Sequence, residues 1–70
     1  MRVMGIDPGL TRCGLGVVDV DASRRASLVY VGVARPDKDL ATHFRLRTIA
    51  AALDTVSAQY QPEVVALARG

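Results

Sequence analysis

The chain has 70 residues, of which half are hydrophobic and 23% charged, and its formal net charge at pH 7 is +2. That length holds one small domain, and the composition is globular rather than disordered. With one cysteine, Cys13, and one histidine, His43, neither an intramolecular disulfide nor a Cys/His zinc site can be assembled. For so short a chain the hydrophobic gain of folding nearly cancels its entropy cost, so marginal stability is expected. A surplus of two charges is too small to define a nucleic-acid or membrane partner. The first apolar stretch, Val3 to Ile6, meets Asp7-Pro8 too soon for a signal-peptide core or a membrane span. The cytoplasm is the expected compartment.

Arg2-Val3-Met4-Gly5-Ile6-Asp7 reads as a buried strand stopped by Pro8-Gly9. Cys13 to Val20 resumes the strand pattern after five residues, and so short a connection makes the pair an antiparallel hairpin. Cys13 is read as a small buried hydrophobe. Asp19 to Arg25 is polar and turn-like, and Ser27 to Ala34 supplies a third strand before Pro36-Asp37. Asp37 or Asp39 can cap a helix, and Leu46, Ile49, Leu53, Val56 and Tyr60 follow at spacings of 3, 4, 3 and 4. That is the apolar stripe of a half-buried helix of about five turns. Phe44 falls off the stripe, so it packs near the helix start or stays exposed. Gln61-Pro62 ends the helix, and Glu63 to Ala68 reads as a fourth strand. The order β-β-β-α-β with a right-handed crossover predicts an α/β fold with a mixed sheet, strand order 3-2-1-4, the fourth strand parallel to the first. Asp7 and Ala68 then stand at equivalent ends of neighbouring strands.

Asp7 is the foremost candidate for chemistry. An ionised carboxylate at the end of an apolar strand is costly unless it is paired, hydrogen-bonded or metal-bound. A simpler role, capping the Pro8-Gly9 turn through backbone N–H groups, stays open at this point. Thr11 and Arg12 share the hairpin loop with Asp7; they could meet a phosphate or simply be solvated. Arg24-Arg25 reads as a solvated basic turn, and His43 as a surface histidine.

The string Gly5-Ile6-Asp7-Pro8-Gly9-Leu10-Thr11-Arg12-Cys13-Gly14-Leu15-Gly16-Val17-Val18 resembles the first hairpin of the RuvC family, bacterial Holliday junction resolvases with an RNase H-like fold. Arg45-Leu46, Ile49, Leu53, Tyr60, Pro62 and Val64-Val65-Ala66-Leu67 look like that family's first helix and fourth strand. The resemblance covers the whole chain and is weakest from Asp21 to Asp39. It implies that residues 1–70 form a partial RNase H-like nuclease domain, without the family's last strand and later helices. It implies Asp7 as a catalytic residue and metal ligand, in an acidic cluster that holds two Mg²⁺ ions and hydrolyses a phosphodiester of four-way junction DNA. The partners it implies are a second subunit in a homodimer and the branch-migration proteins RuvA and RuvB.

At the end of the fourth strand the chain departs from the family. Where the family has V-A-I-E-R, with Glu as a metal ligand, this chain has Val65-Ala66-Leu67-Ala68-Arg69, so the second-ligand position is Ala68. Thr11, Arg12 and Arg69 are the possible DNA contacts. With that ligand replaced and the later ones not among these residues, the chain alone is expected not to cut DNA and to hold Mg²⁺ weakly or not at all. One alternative is a non-catalytic copy retained to bind DNA or a partner. Another is a phosphate-binding fragment of an actin-like ATPase, whose first hairpin also carries a D-x-G turn; that fold needs a second lobe, which seventy residues do not hold.

Overall fold

A computed structural model describes residues 1–68 as β1 (Arg2–Asp7), β2 (Cys13–Val20), β3 (Ala26–Ala34), α1 (Thr42–Tyr60) and β4 (Val64–Leu67). The four strands form one sheet in the order β3-β2-β1-β4, with β1 antiparallel to β2 and parallel to β4, as the sequence predicts. β4 is shorter than expected. Glu63 and Ala68 each attach to β1 by one backbone bond, from Glu63 N–H to the Arg2 carbonyl (2.9 Å) and from Ala68 N–H to the Ile6 carbonyl (2.8 Å).

Side chains alternate across a strand, so Met4 and Ile6 of β1 share a face with Cys13, Leu15 and Val17 of β2. These five, with Val56 of α1, are the buried hydrophobic core, and Cys13 is 1% exposed. The opposite face carries Val3, Gly5, Asp7, Gly14 and Gly16, and no described element covers it. β1, expected as a fully buried strand, is therefore buried on one side only. A single helix is about 10 Å across and covers two or three strands at most. Here α1 lies over β2 and β3 and reaches Met4 of β1 through Ser57. Val65 and Leu67 of β4, in register with buried Met4 and Ile6, stay 53% and 70% exposed. The accessible surface is 5126 Å², against about 4,200 Å² for a compact protein of this mass.

The apolar stripe of α1 holds from Ile49 to Tyr60, but Leu46 is 52% exposed. Near its first turns the helix faces only the Pro8-Gly9-Leu10 loop, and Leu46 and Ile49 line a shallow cleft there. Phe44 is also exposed and lies against the His43 ring, with centroids 4.0 Å apart. Neither Asp37 nor Asp39 caps the helix. The residue before it is Ala41, with no side-chain cap, while Asp37 Oδ1 accepts the Asp39 N–H at 2.9 Å in a local turn. Arg45 holds that turn against the helix start by donating to the carbonyls of Leu40 and Lys38. At the other end Gln61 takes a left-handed conformation (φ 49°), and its N–H closes the last turn on the Ser57 carbonyl.

Two contacts organise the edges of this layer. On β3 the Tyr30 ring lies over Gly32, where an added Cβ would come within 2.6 Å of Tyr30 Cζ, and it meets the Tyr60 ring at 5.1 Å. At the N-terminal end of β1, Arg2 grips Asp19 with two bonds, Nε to Oδ1 (2.7 Å) and Nη2 to Oδ2 (2.9 Å), and donates through Nη1 to the Tyr60 carbonyl (3.0 Å). One side chain thus joins β1, β2 and the C-terminal end of α1, where a cation also complements the helix dipole.

Gly32→Ala should push Tyr30 off its seat against Tyr60 and cost about 1–3 kcal/mol, the range for overpacking; a thermal melt and the loss of Tyr30–Tyr60 cross-peaks would show it. The hydrogen bond from Arg2 holds the Asp19 carboxyl below its ordinary pKa, against a smaller opposing effect of burial. A depressed carboxyl contributes stability above its unfolded pKa of about 3.9 and loses it as the pH falls through the folded value. Asp19→Asn should therefore lower the melting temperature at pH 7, and the gap from the parent should close below about pH 4. The bare β4 edge offers unpaired backbone groups beside Val65 and Leu67, with no charge in the strand to discourage pairing. Light scattering should show concentration-dependent self-association, and Val65→Lys should reduce it.

Candidate functional site

The C-terminal ends of β1 and β4, the start of β2 and the end of β3 meet at one edge of the sheet. Asp7 is the last residue of β1 and pairs with Gly14 of β2, while Ala68 follows β4 beside it. A Cβ on Gly14 would meet Asp7 Cβ at 3.5 Å, in ordinary contact. The Pro8–Arg12 loop closes tightly: a Cβ on Gly9 would come within 2.6 Å of the Arg12 carbonyl oxygen, so the backbone approaches itself where only glycine fits. That turn carries Thr11 and Arg12 at the same edge of the sheet as Asp7. Both are exposed, and neither side chain is hydrogen-bonded among the described residues.

Asp7 is exposed as well. Among the described residues its carboxylate accepts no hydrogen bond and has no ion pair within 4.0 Å. Both sequence expectations for the lone residue are corrected here. Among the described residues it is not a buried carboxylate needing compensation, because nothing described covers the face it occupies. Nor does it cap the Pro8-Gly9 turn, whose tightness comes from Gly9 instead.

Asp7 and Ala68 line one open trough of about 480 Å³, floored by Gly5, Gly14, Gly16 and Ala66 and walled by Val31 and Val33. Among the described residues Asp7 is its one acidic side chain. Glu63, the other acid near β4, lies at the far end of the strand, where its carboxylate accepts the Arg2 N–H at 3.2 Å. No group of three or more His, Cys, Asp or Glu that could hold a metal is found among the described residues. Two divalent ions need several anionic oxygens in one place, and this corner presents a single carboxylate and a methyl group. The donor set does not fit a metal pair.

The sequence reading brings Asp7, Thr11, Arg12 and Ala68 to the same edge, and the structure places them there; Arg69 lies outside the described residues. His43 stands apart, its ring tilted against that of Phe44. The glycine-floored trough went unread, although alternating Gly5, Gly14 and Gly16 mark one face once the hairpin register is known. The Arg2–Asp19 grip was missed for the same reason: the two residues are 17 apart in sequence and become neighbours only through that register.

The model of the crossover junction endodeoxyribonuclease RuvC family matches residues 3–69. A RuvC from Pseudarthrobacter chlorophenolicus is 51% identical over 69 residues, covering 99% of this chain and 36% of that protein. One from Saccharopolyspora erythraea is 51% identical over 69 residues and 35% of its length. Among solved structures, Thermus thermophilus RuvC in complex with a Holliday junction substrate superposes with a TM-score of 0.89 at 36% identity, over 100% of this chain and 44% of that one. The chain thus spans about a third of the length of the curated relatives it matches. A hairpin whose first strand ends in Asp7, a parallel β4 beside that strand and a match over nearly every residue agree: the chain belongs to the RuvC family.

Proposed function

We propose that this chain is a junction-binding segment of the RuvC type that does not itself cut DNA. The family is Mg²⁺-dependent, and its members carry the name of an endonuclease acting at crossovers. The observation behind the non-cleaving half is the neighbour of Asp7. By family resemblance Asp7 takes the place of the first metal ligand, and the next place on the adjacent strand is Ala68. A methyl group cannot bind a cation or orient a water for attack on a phosphodiester. The binding half rests on the hairpin loop, where Arg12 is exposed and free to reach a phosphate, with Thr11 beside it. Phosphate contacts supply most of the affinity in such interfaces.

Four-way junction DNA is the substrate class of this reading, and the cytoplasm its compartment. A homodimer and the branch-migration proteins RuvA and RuvB accompany it by resemblance. The purified chain should retard a synthetic four-way junction in an electrophoretic assay more strongly than a linear duplex of the same length. Arg12→Ala should weaken that binding and lower the slope of log affinity against log salt by about one. No nicked product should form in Mg²⁺ or Mn²⁺. Equal binding to junction and duplex would remove the junction-directed part of the proposal, and Asp7-dependent cleavage would remove the rest.

A further inference from the structure

Asp7 and Ala68 share one corner of an open trough, and among the described residues no second acidic side chain lines it. Mg²⁺ held through one carboxylate keeps most of its waters and binds weakly. Among the described residues no lysine or arginine neutralises Asp7 either, the one ion pair being Arg2 with Asp19. We infer that in this chain Asp7 does not serve a cation pair but stands as a bare negative charge on the edge that faces DNA, because Ala68 fills the place a second carboxylate needs.

The sign of its effect then reverses. A carboxylate that holds a metal draws phosphate in through the cation, so its loss weakens binding. A bare carboxylate repels phosphate, so removing its charge strengthens binding. For unit charges about 6 Å apart in water the factor is about threefold, and added salt reduces it. The missing cation site is also repairable: a carboxylate at position 68 would lie next to that of Asp7, on the neighbouring strand and the same face.

Two measurements on the full chain test this, and only the second rests on the junction-binding reading. In the first, Mn²⁺ is titrated against the protein without DNA, and the broadening of the Asp7 and Ala68 amide signals is followed. The parent should show no site tighter than about 1 mM, the weak end for carboxylate-bound divalent ions. Ala68→Glu should tighten the site at least about tenfold through a second anionic ligand, and adding Asp7→Asn should abolish the gain. A tight site in the parent, or no gain in Ala68→Glu variants that melt like the parent, overturns the inference. In the second, Asp7→Asn should bind the four-way junction about threefold more tightly than the parent in EDTA, with Mg²⁺ at matched ionic strength making no difference to the ratio. Weaker binding by Asp7→Asn, or a ratio that depends on Mg²⁺ at matched ionic strength, overturns it too. Failure of the parent to bind any DNA would count against the junction-binding reading, while the Mn²⁺ titration would still decide the inference.

Discussion

A slip of one residue between β1 and β4 would turn every β4 side chain to the opposite face, so what stands beside Asp7 depends on how that register is held. The two ends of the pairing hold it differently. At the N-terminal end Arg2 and Glu63 bond to each other in both directions, Arg2 N–H to Glu63 Oε1 and Glu63 N–H to the Arg2 carbonyl. The guanidinium of the same Arg2 takes hold of the Tyr60 carbonyl, so the point where the helix hands the chain back to the sheet is tied to the first strand. At the C-terminal end a single backbone bond, Ala68 N–H to the Ile6 carbonyl, finishes the ladder. With Met4 opposite Val65 and Ile6 opposite Leu67, the next step along the strands sets Ala68 beside Asp7.

Burial follows from the same arrangement. The crossover helix lies over β2 and β3, and the residues beneath it on the sheet form the core. Its stripe reaches those strands and Met4 and Ile6 of β1, which are buried with Val56, and stops short of β4. Val65 and Leu67 have the residue types and the register of core positions but remain exposed. Their hydrophobicity is what a strand buried on both faces requires, and the described residues supply only part of that cover.

Charge is distributed unequally between the two ends of the sheet. At the N-terminal end of β1, Asp19 and Glu63 both meet donors of Arg2. At the other end, the carboxylate of Asp7 and the guanidinium of Arg12 make no such bonds among the described residues. Paired charges at one pole stiffen the fold, and unpaired ones at the other remain available to a ligand. At such an exposed edge a phosphate-bearing partner is attracted by Arg12 and repelled by Asp7.

The sequence by itself determined the element order, the sheet order and the pairing of Asp7 with position 68. Those follow from local signals: a five-residue hairpin connection, a 3-4-3-4 apolar spacing, and proline at the breaks. The replacement at Ala68 was legible too, because it interrupts a specific string at a position that topology places beside Asp7. Only the tertiary structure decided which strands the helix covers, and hence that Leu46, Val65 and Leu67 are exposed while Val56 is buried. It alone showed that Asp7 is solvated and unpaired, that Asp37 turns the loop instead of capping the helix, and that Arg2 joins three elements. Each of these depends on the distance between groups far apart in sequence, or on the width of one helix against four strands. Periodicity states which side of an element is apolar, but not whether anything lies against it.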